Sequence, residues 1–206
     1  MNSKMTSMIN KELKCNYPCL DINKGIIFPE VNIDPDKVKL VMISESPPLD
    51  HSNYFYKSNS GSFFQTTKKA FQDAGIIAND YNDLTELGIY LTTAIKCSKK
   101  DYVVSSKTIK ECSKILEKEL NQFPNIKVIM CMGDFAIKAI NYIYKDKYKI
   151  TPIKSGSTYK IRKEKHFYNN IRFFPSYTQT GDSFNLEKSK RRMIAEDIKR
   201  VLEYLK

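Results

Sequence analysis

The segment Ser44-Glu45-Ser46-Pro47-Pro48-Leu49-Asp50-His51 places two carboxylates, Glu45 and Asp50, on a turn stiffened by adjacent prolines. A carboxylate fixed in a cleft of low dielectric stabilises positive charge developing in a transition state and orients water. The same residues also suit an ordinary loop carrying surface acids. Sulfur supplies a second candidate chemistry. Cys15 and Cys19 form C-x3-C, and Cys97 and Cys112 form C-x14-C. Four thiolates are a donor set for zinc or an iron–sulfur cluster. The wide second spacing departs from the two close CxxC units of common zinc sites. A competing reading puts Cys112 on the inner face of a helix and Cys97 at a strand end, both as core. Cys131, inside Ile126–Met132, reads as core in either case.

Late in the chain, Pro175-Ser176-Tyr177-Thr178-Gln179-Thr180-Gly181-Asp182-Ser183-Phe184 sets polar groups beside aromatics, and reads as a groove or a plain turn. Tyr54-Phe55-Tyr56 and Phe63-Phe64 lie near Lys57, Lys68 and Lys69. Such aromatics stack on nucleobases if exposed and pack the core if not.

Four short apolar, β-branched runs must position these groups: Lys37–Ile43, Ile89–Ile95, Ile126–Met132 and Ile171–Tyr177. Near-continuous apolarity over such lengths predicts strands covered on both faces. Helical periodicity lies between and after them. Phe63–Ala74 ends at Gly75, Thr108–Phe123 is stopped by Pro124, Asp134–Tyr144 follows Gly133, and Leu186–Leu205 closes the chain. Alternating strands and helices predict an α/β layer fold with a mainly parallel sheet. Ligands of such sheets collect beyond the carboxyl ends of the strands. Every candidate loop above follows a strand except the N-terminal cysteine pair.

Lys and Arg number 34 against 23 Asp and Glu, a net charge of +11 that favours a polyanionic partner, nucleic acid first. With 41% hydrophobic and 12% aromatic residues, the 206-residue chain is a folded domain rather than a disordered tail. No apolar run approaches the ~20 residues of a membrane helix. The polar stretch from Met1 to Lys14 lacks the apolar centre of a secretory signal, so the expected location is the cytosol, without a membrane partner. There, the five cysteines are not expected to form structural disulfides.

The order of these pieces resembles the uracil-DNA glycosylase superfamily, especially its iron–sulfur branch, families four and five. The family's G-E-x-P-G loop corresponds to Ser44-Glu45-Ser46-Pro47-Pro48, and its P-F-x-G to Ser62-Phe63-Phe64-Gln65. Its second strand, Y-[IL]-T-N-x-x-K-C, matches Tyr90-Leu91-Thr92-Thr93-Ala94-Ile95-Lys96-Cys97. Cys131-Met132-Gly133-Asp134-Phe135-Ala136 with Ala139 follows its strand-turn-helix pattern. Its P-[ST]-Y-H-P-S becomes Pro175-Ser176-Tyr177-Thr178-Gln179-Thr180. The resemblance implies a three-layer α/β/α sandwich with a central, mainly parallel four-stranded sheet. It implies one domain over 1–206, with 1–36 as a helical, cluster-binding extension. Cys15, Cys19, Cys97 and Cys112 fall at the family's ligand positions for a [4Fe–4S] cluster, with zinc as the alternative. The family spacing of the first pair is C-x2-C, one residue shorter than here.

Three departures bear on chemistry. Ser44 and Pro48 replace the motif glycines, Thr93 replaces the base-reading Asn, and Thr178 replaces the His that stabilises the departing base. His51 and His166 match no family position. A threonine hydroxyl cannot reproduce the fixed acceptor–donor pair of Asn, so a bulkier modified pyrimidine joins uracil as the expected substrate. Some members of the superfamily act against phages by removing glucosylated hydroxymethylcytosine. The implied enzyme is a monomeric, monofunctional DNA glycosylase that flips a base and hydrolyses its N-glycosidic bond. Glu45 is the expected catalytic carboxylate, with Asp50 second and Asp182 third. Ser44, Ser46, Phe63, Phe64, Thr93, Thr178 and Gln179 would bind the base. Lys154, Ser155, Ser157, Lys160, Arg162, Lys163, Lys188, Lys190, Arg191 and Arg192 would contact DNA, although 190–192 equally suits a plain basic helix face. The alternatives are a non-catalytic iron–sulfur nucleic-acid-binding module of the same fold and a metal-stabilised nucleotide-binding protein.

Overall fold

A computed structural model describes residues 13–181 and 183–206. Its sheet contains β1 (Leu40–Ser44), β2 (Ile89–Thr93), β3 (Val128–Met132), β4 (His166–Tyr168) and β5 (Ile171–Ser176). The spatial order is β2-β1-β3-β5-β4. The first four strands in that order are parallel, while β4 pairs antiparallel with β5. Four parallel strands are thus as expected, and a fifth is added at one edge. β4 escaped the sequence pattern because three residues carry no periodicity. It exists through its hairpin with β5, where Asn169 takes a left-handed conformation at φ 49°.

The seven α-helices among the described residues are α1 (Ser62–Asp73), α2 (Tyr81–Glu86), α3 (Ser106–Leu120), α4 (Asp134–Tyr148), α5 (Thr158–Ile161), α6 (Ser183–Leu186) and α7 (Lys188–Leu205). Alternation along the strands sorts the core into two faces. Val41, Ile43, Tyr90, Ile129, Cys131 and Phe173 pack towards α3 and α4. Leu40, Met42, Leu91, Met130, Met132 and Phe174 pack towards α1 and α7. The result is an α/β/α sandwich, with every position of β1, β2 and β3 buried.

Element ends differ from the sequence pattern where local capping decides. Lys37 closes a 3-10 turn capped by Asp34, so β1 starts at Leu40. Ser105 caps α3 by accepting from the Thr108 amide, which moves its start back to Ser106. Beyond β2, the Ala94 and Ile95 amides continue onto the carbonyls of Ser44 and Glu45 at 2.8 and 2.9 Å. β2 is an edge strand, and its Leu91 amide is taken by the Tyr56 hydroxyl at 2.8 Å. Residues 13–34 contain no helix; the part of the expected helical extension before residue 13 lies outside the described residues.

Candidate active site and cysteine cavity

From β1 the chain moves to β2 on one side and returns to β3 on the other, so the topological switch point lies between β1 and β3. This is where open α/β sheets place their ligands. Glu45 leaves β1 here, facing Gly133 at the end of β3. The amides of Phe135 and Asp134, in the first turn of α4, donate to its carboxylate. A helix N-terminus supplies orphan N–H groups and a favourable dipole for such a charge. Lys99 Nζ stands 3.8 Å from Glu45 Oε2. Burial nevertheless pushes the Glu45 carboxyl above the usual carboxylate range; Lys99 and the amides oppose this, and the neighbouring Asp134 charge adds to it.

Gly133 makes the approach possible. At φ 104° and ψ 167° it occupies a region essentially reserved for glycine. A Cβ there would lie 2.6 Å from Glu45 Oε1 and 2.7 Å from its Cγ. The Gly133 amide is in turn fixed by the Ser176 carbonyl at 2.9 Å. The Ser176 hydroxyl donates to buried Asp197 at 2.7 Å, which also holds Arg162.

Glu45 opens onto a cavity of about 220 Å³ lined by Gly133, Asp134, Thr158, Tyr177, Thr178, Phe184, Lys190 and Ile194. Glu45 and Thr178, from loops after two strands, thus meet Lys190 of α7 in one cleft. Lys190 also pairs with Glu187 and lies 5.5 Å from the Tyr177 ring centroid.

Other expected residues are placed differently. Ser44, Ser46, Thr93 and Gln179 are buried. Ser44 Oγ donates to Gln179 Oε1 at 3.0 Å, and Thr93 Oγ1 bonds the Tyr54 hydroxyl at 3.0 Å. Gln179 Nε2 has no hydrogen-bond partner among the described residues. Phe63 and Phe64 are also buried rather than offered as open stacking faces. Phe63 packs edge-on against Phe55 and Tyr54, and Phe64 against Tyr81. The apolar face of α1 needs these rings for its core. Asp50 is exposed and consumed by its own turn, accepting from Ser52 N and Oγ and from Asn53 Nδ2, so it is not a second carboxylate of the cleft.

Among the expected DNA contacts, Ser155, Ser157 and Lys160 are exposed, beside or within α5. Arg162 is not a surface residue: its guanidinium is buried against Asp197, 2.9 Å from Nε, and the Met193 carbonyl. Arg191 is held by both oxygens of Asp73. Asp182 lies outside the described residues.

The four cysteines converge on a second cavity. Cys15, Cys19, Cys97 and Cys112 line a space of about 370 Å³, together with Lys96, Gly25 and Tyr17. All are free thiols, and Cys131 is remote from this cavity, within β3. Zinc at about 2.3 Å from each sulfur would draw four thiolates into a tight tetrahedron. Among the described residues no three His, Cys, Asp or Glu side chains are close enough for a single ion. Four sulfur donors around one cavity suit either zinc or an iron–sulfur cluster. Burial raises the Cys112 thiol to about 12, with a smaller contribution from the three other cysteines, while the Lys96 amide donates to its sulfur. The Gly25 amide donates likewise to Cys97.

Sequence reasoning missed Lys99 and the α4 amides, whereas Tyr177 and Phe184 belong to the loop it had singled out. It also missed a fully buried pair, Lys96 with Glu119. Lys96 Nζ donates to Glu119, to Thr92 Oγ1 at 2.8 Å and to the Thr93 carbonyl at 2.6 Å. Glu119 Oε1 further accepts from the Tyr90 and Thr92 hydroxyls, each at 2.8 Å. A helix position reading as surface acid gave no sign of this in one dimension.

Residues 31–202 match the family model described as the uracil DNA glycosylase superfamily. The chain is also similar to a type-5 uracil-DNA glycosylase of Thermus thermophilus, 25% identical over 100 residues. That similarity covers 48% of this chain and 46% of the Thermus protein. None of the described helices is long and apolar enough to cross a membrane.

Proposed function

The chain belongs to the uracil DNA glycosylase superfamily, and from that premise we propose that it hydrolyses the N-glycosidic bond of a pyrimidine flipped out of DNA, leaving an abasic site. The supporting observation is Glu45: a carboxylate at the sheet's switch point, held by the first amides of α4 and opening onto the 220 Å³ cavity. Departure of the base builds positive charge on the sugar, as in glycoside hydrolysis generally. Glu45, ionised, stabilises that charge at short range and orients the attacking water. Thr178 and Lys190 lie across the cavity, where a hydroxyl and an ammonium can meet the departing base or a neighbouring phosphate. The protein acts as a cytosolic monomer on DNA, and its Ser155, Ser157 and Lys160 surface grips the backbone, so binding weakens with salt.

In this reading the substrate is uracil or a modified cytosine such as a phage hypermodified base. Thr93 and Thr178 at the two main departures favour the larger base. Cys15, Cys19, Cys97 and Cys112 would hold a [4Fe–4S] cluster. Its chemistry when bound is four iron–thiolate bonds cross-linking the N-terminal segment, the end of β2 and α3.

A second reading is a non-catalytic iron–sulfur DNA-binding module. It is favoured by the polar groups at the base-reading positions, which are spent on one another as Ser44–Gln179 and Thr93–Tyr54. Single-turnover reactions on duplexes carrying uracil, hypoxanthine or modified cytosines, developed with alkali, decide between them. The glycosylase reading expects strand breaks at one of these bases and loss of at least a hundredfold in rate with Glu45→Gln. Breaks formed at the parental rate by that variant refute the role of Glu45. DNA binding without breaks on any duplex supports the second reading.

A further inference from the structure

Beside Glu45 the loop between β2 and α3 carries an unusual pair. Tyr102 is 92% exposed and Val103 78% exposed, adjacent in sequence and without a core role. The loop that presents them is braced. On one side the Lys100 amide donates to the Asp21 carbonyl at 3.1 Å, and Lys99 pairs with Ile22 in an antiparallel bridge. On the other, the Ser105 amide donates to Asp21 Oδ2 at 2.6 Å and Thr108 Oγ1 to Oδ1 at 2.7 Å. Val104 anchors the tip in the core. One aspartate thus closes both stems, and Asp101–Val103 project from a fixed base.

The tip's position is as informative as its rigidity. Lys99 Nζ is 5.8 Å from the Tyr102 ring centroid, 5.6 Å from that of Phe135, and 3.8 Å from Glu45 Oε2. The exposed ring and the proposed catalytic carboxylate therefore flank the same ammonium. Lys99 and the exposed Lys100 supply positive charge at the stem. The tip presents Tyr102 and Val103 beside one carboxylate, Asp101, over two lysines at its base, and its exposed ring and net positive charge match a nucleic acid.

We propose that Tyr102, backed by Val103, is a stacking element that packs against the bases of duplex DNA next to the flipped nucleotide. Removing a base from the helix leaves its neighbours unstacked, and an apolar side chain on a stiff support fills the gap. This rests on the glycosylase reading and adds to it a contact outside the cleft. The braced stems matter because a loop that must first be ordered loses affinity to conformational entropy.

The test is equilibrium binding to a duplex containing a stable abasic-site analogue and to the same strand unpaired. Single-turnover cleavage is measured in parallel. Tyr102→Ala is expected to weaken duplex binding about tenfold, the scale of one lost base–aromatic stack, with a smaller effect on the single strand. Tyr102→Trp is expected to retain the parental affinity. Tyr148→Ala, an exposed tyrosine at the far end of α4, serves as the control and changes neither. Parental duplex affinity in Tyr102→Ala, with the unaltered protein still binding and cleaving, overturns the stacking proposal alone. An equal loss on both substrates replaces stacking by plain backbone contact and also overturns it. An unaltered protein that binds neither substrate ends both proposals together.

Discussion

Gly133→Ala separates the geometry of Glu45 from its chemistry. The native backbone at this position, φ 104° and ψ 167°, is one an L-residue adopts at a cost of roughly 1–3 kcal/mol. For a chain of this size each kcal/mol lowers Tm by about 2–4 °C, so a drop on the order of 5 °C is expected and the variant stays folded at 25 °C. The larger effect is local. The new methyl would sit 2.6 Å from Glu45 Oε1 and 2.7 Å from Cγ, both well inside contact distance. The carboxylate must retreat by on the order of an ångström, a misplacement that costs about a hundredfold in rate. Single-turnover cleavage read after alkali, beside a thermal melt, measures both effects. A double-mutant cycle with Glu45→Gln supplies the control, because displacing a side chain that no longer works costs little more. A Gly133→Ala enzyme as fast as the parent would falsify the placement of Glu45. So would a further hundredfold loss on the Glu45→Gln background.

Four more outcomes are expected. Burial raises the Glu45 carboxyl, and the proposed mechanism uses its ionised form, so rate is expected to fall on acidification from above the ordinary carboxylate range; Lys99→Met, removing an opposing charge, is expected to shift this limb of the pH–rate profile further up. The same sign makes ionised Glu45 a cost to the fold once pH exceeds its unfolded value, so Glu45→Gln melts no lower than the parent at pH 7. Cys97→Ser is expected to lose iron and visible absorbance after anaerobic reconstitution, while Cys131→Ser, in the core, keeps both; chelation then exposes the N-terminal segment to protease. Lys96→Met strands a buried carboxylate and is expected to cost 3–5 kcal/mol in urea unfolding, with Lys96→Met/Glu119→Leu substantially milder.

The layered architecture was legible because β1, β2 and β3 are buried on both faces, and a buried parallel strand spells itself as an unbroken apolar run. The place of Glu45 after such a run was legible, but its choice among the acids, like the set of four cysteines, came from the family resemblance rather than from the residues alone. What stayed hidden depended on contacts distant in sequence. Nothing near Arg162 distinguishes it from Lys160, yet Asp197, 35 residues away, draws it inside. Phe63 and Phe64 read equally as stacking faces or core until α1 was packed against Tyr54 and Tyr81. Asp50 looked like a partner for Glu45, but its carboxylate is satisfied within three residues of chain. The Lys96–Glu119 pair required knowing that α3 covers the end of β2.

The Tyr56 hydroxyl on the Leu91 amide has a consequence for how copies of this protein behave when crowded. An outermost strand with free donors recruits the same strand from another molecule, and growth by such pairing has no natural end. Here a phenol from a residue at φ 64° occupies one of those donors and stands in the path of an incoming backbone. The opposite margin of the sheet ends in a three-residue strand, too short to template much. Both borders are thus poor templates for edge-to-edge pairing with a second copy of this basic chain.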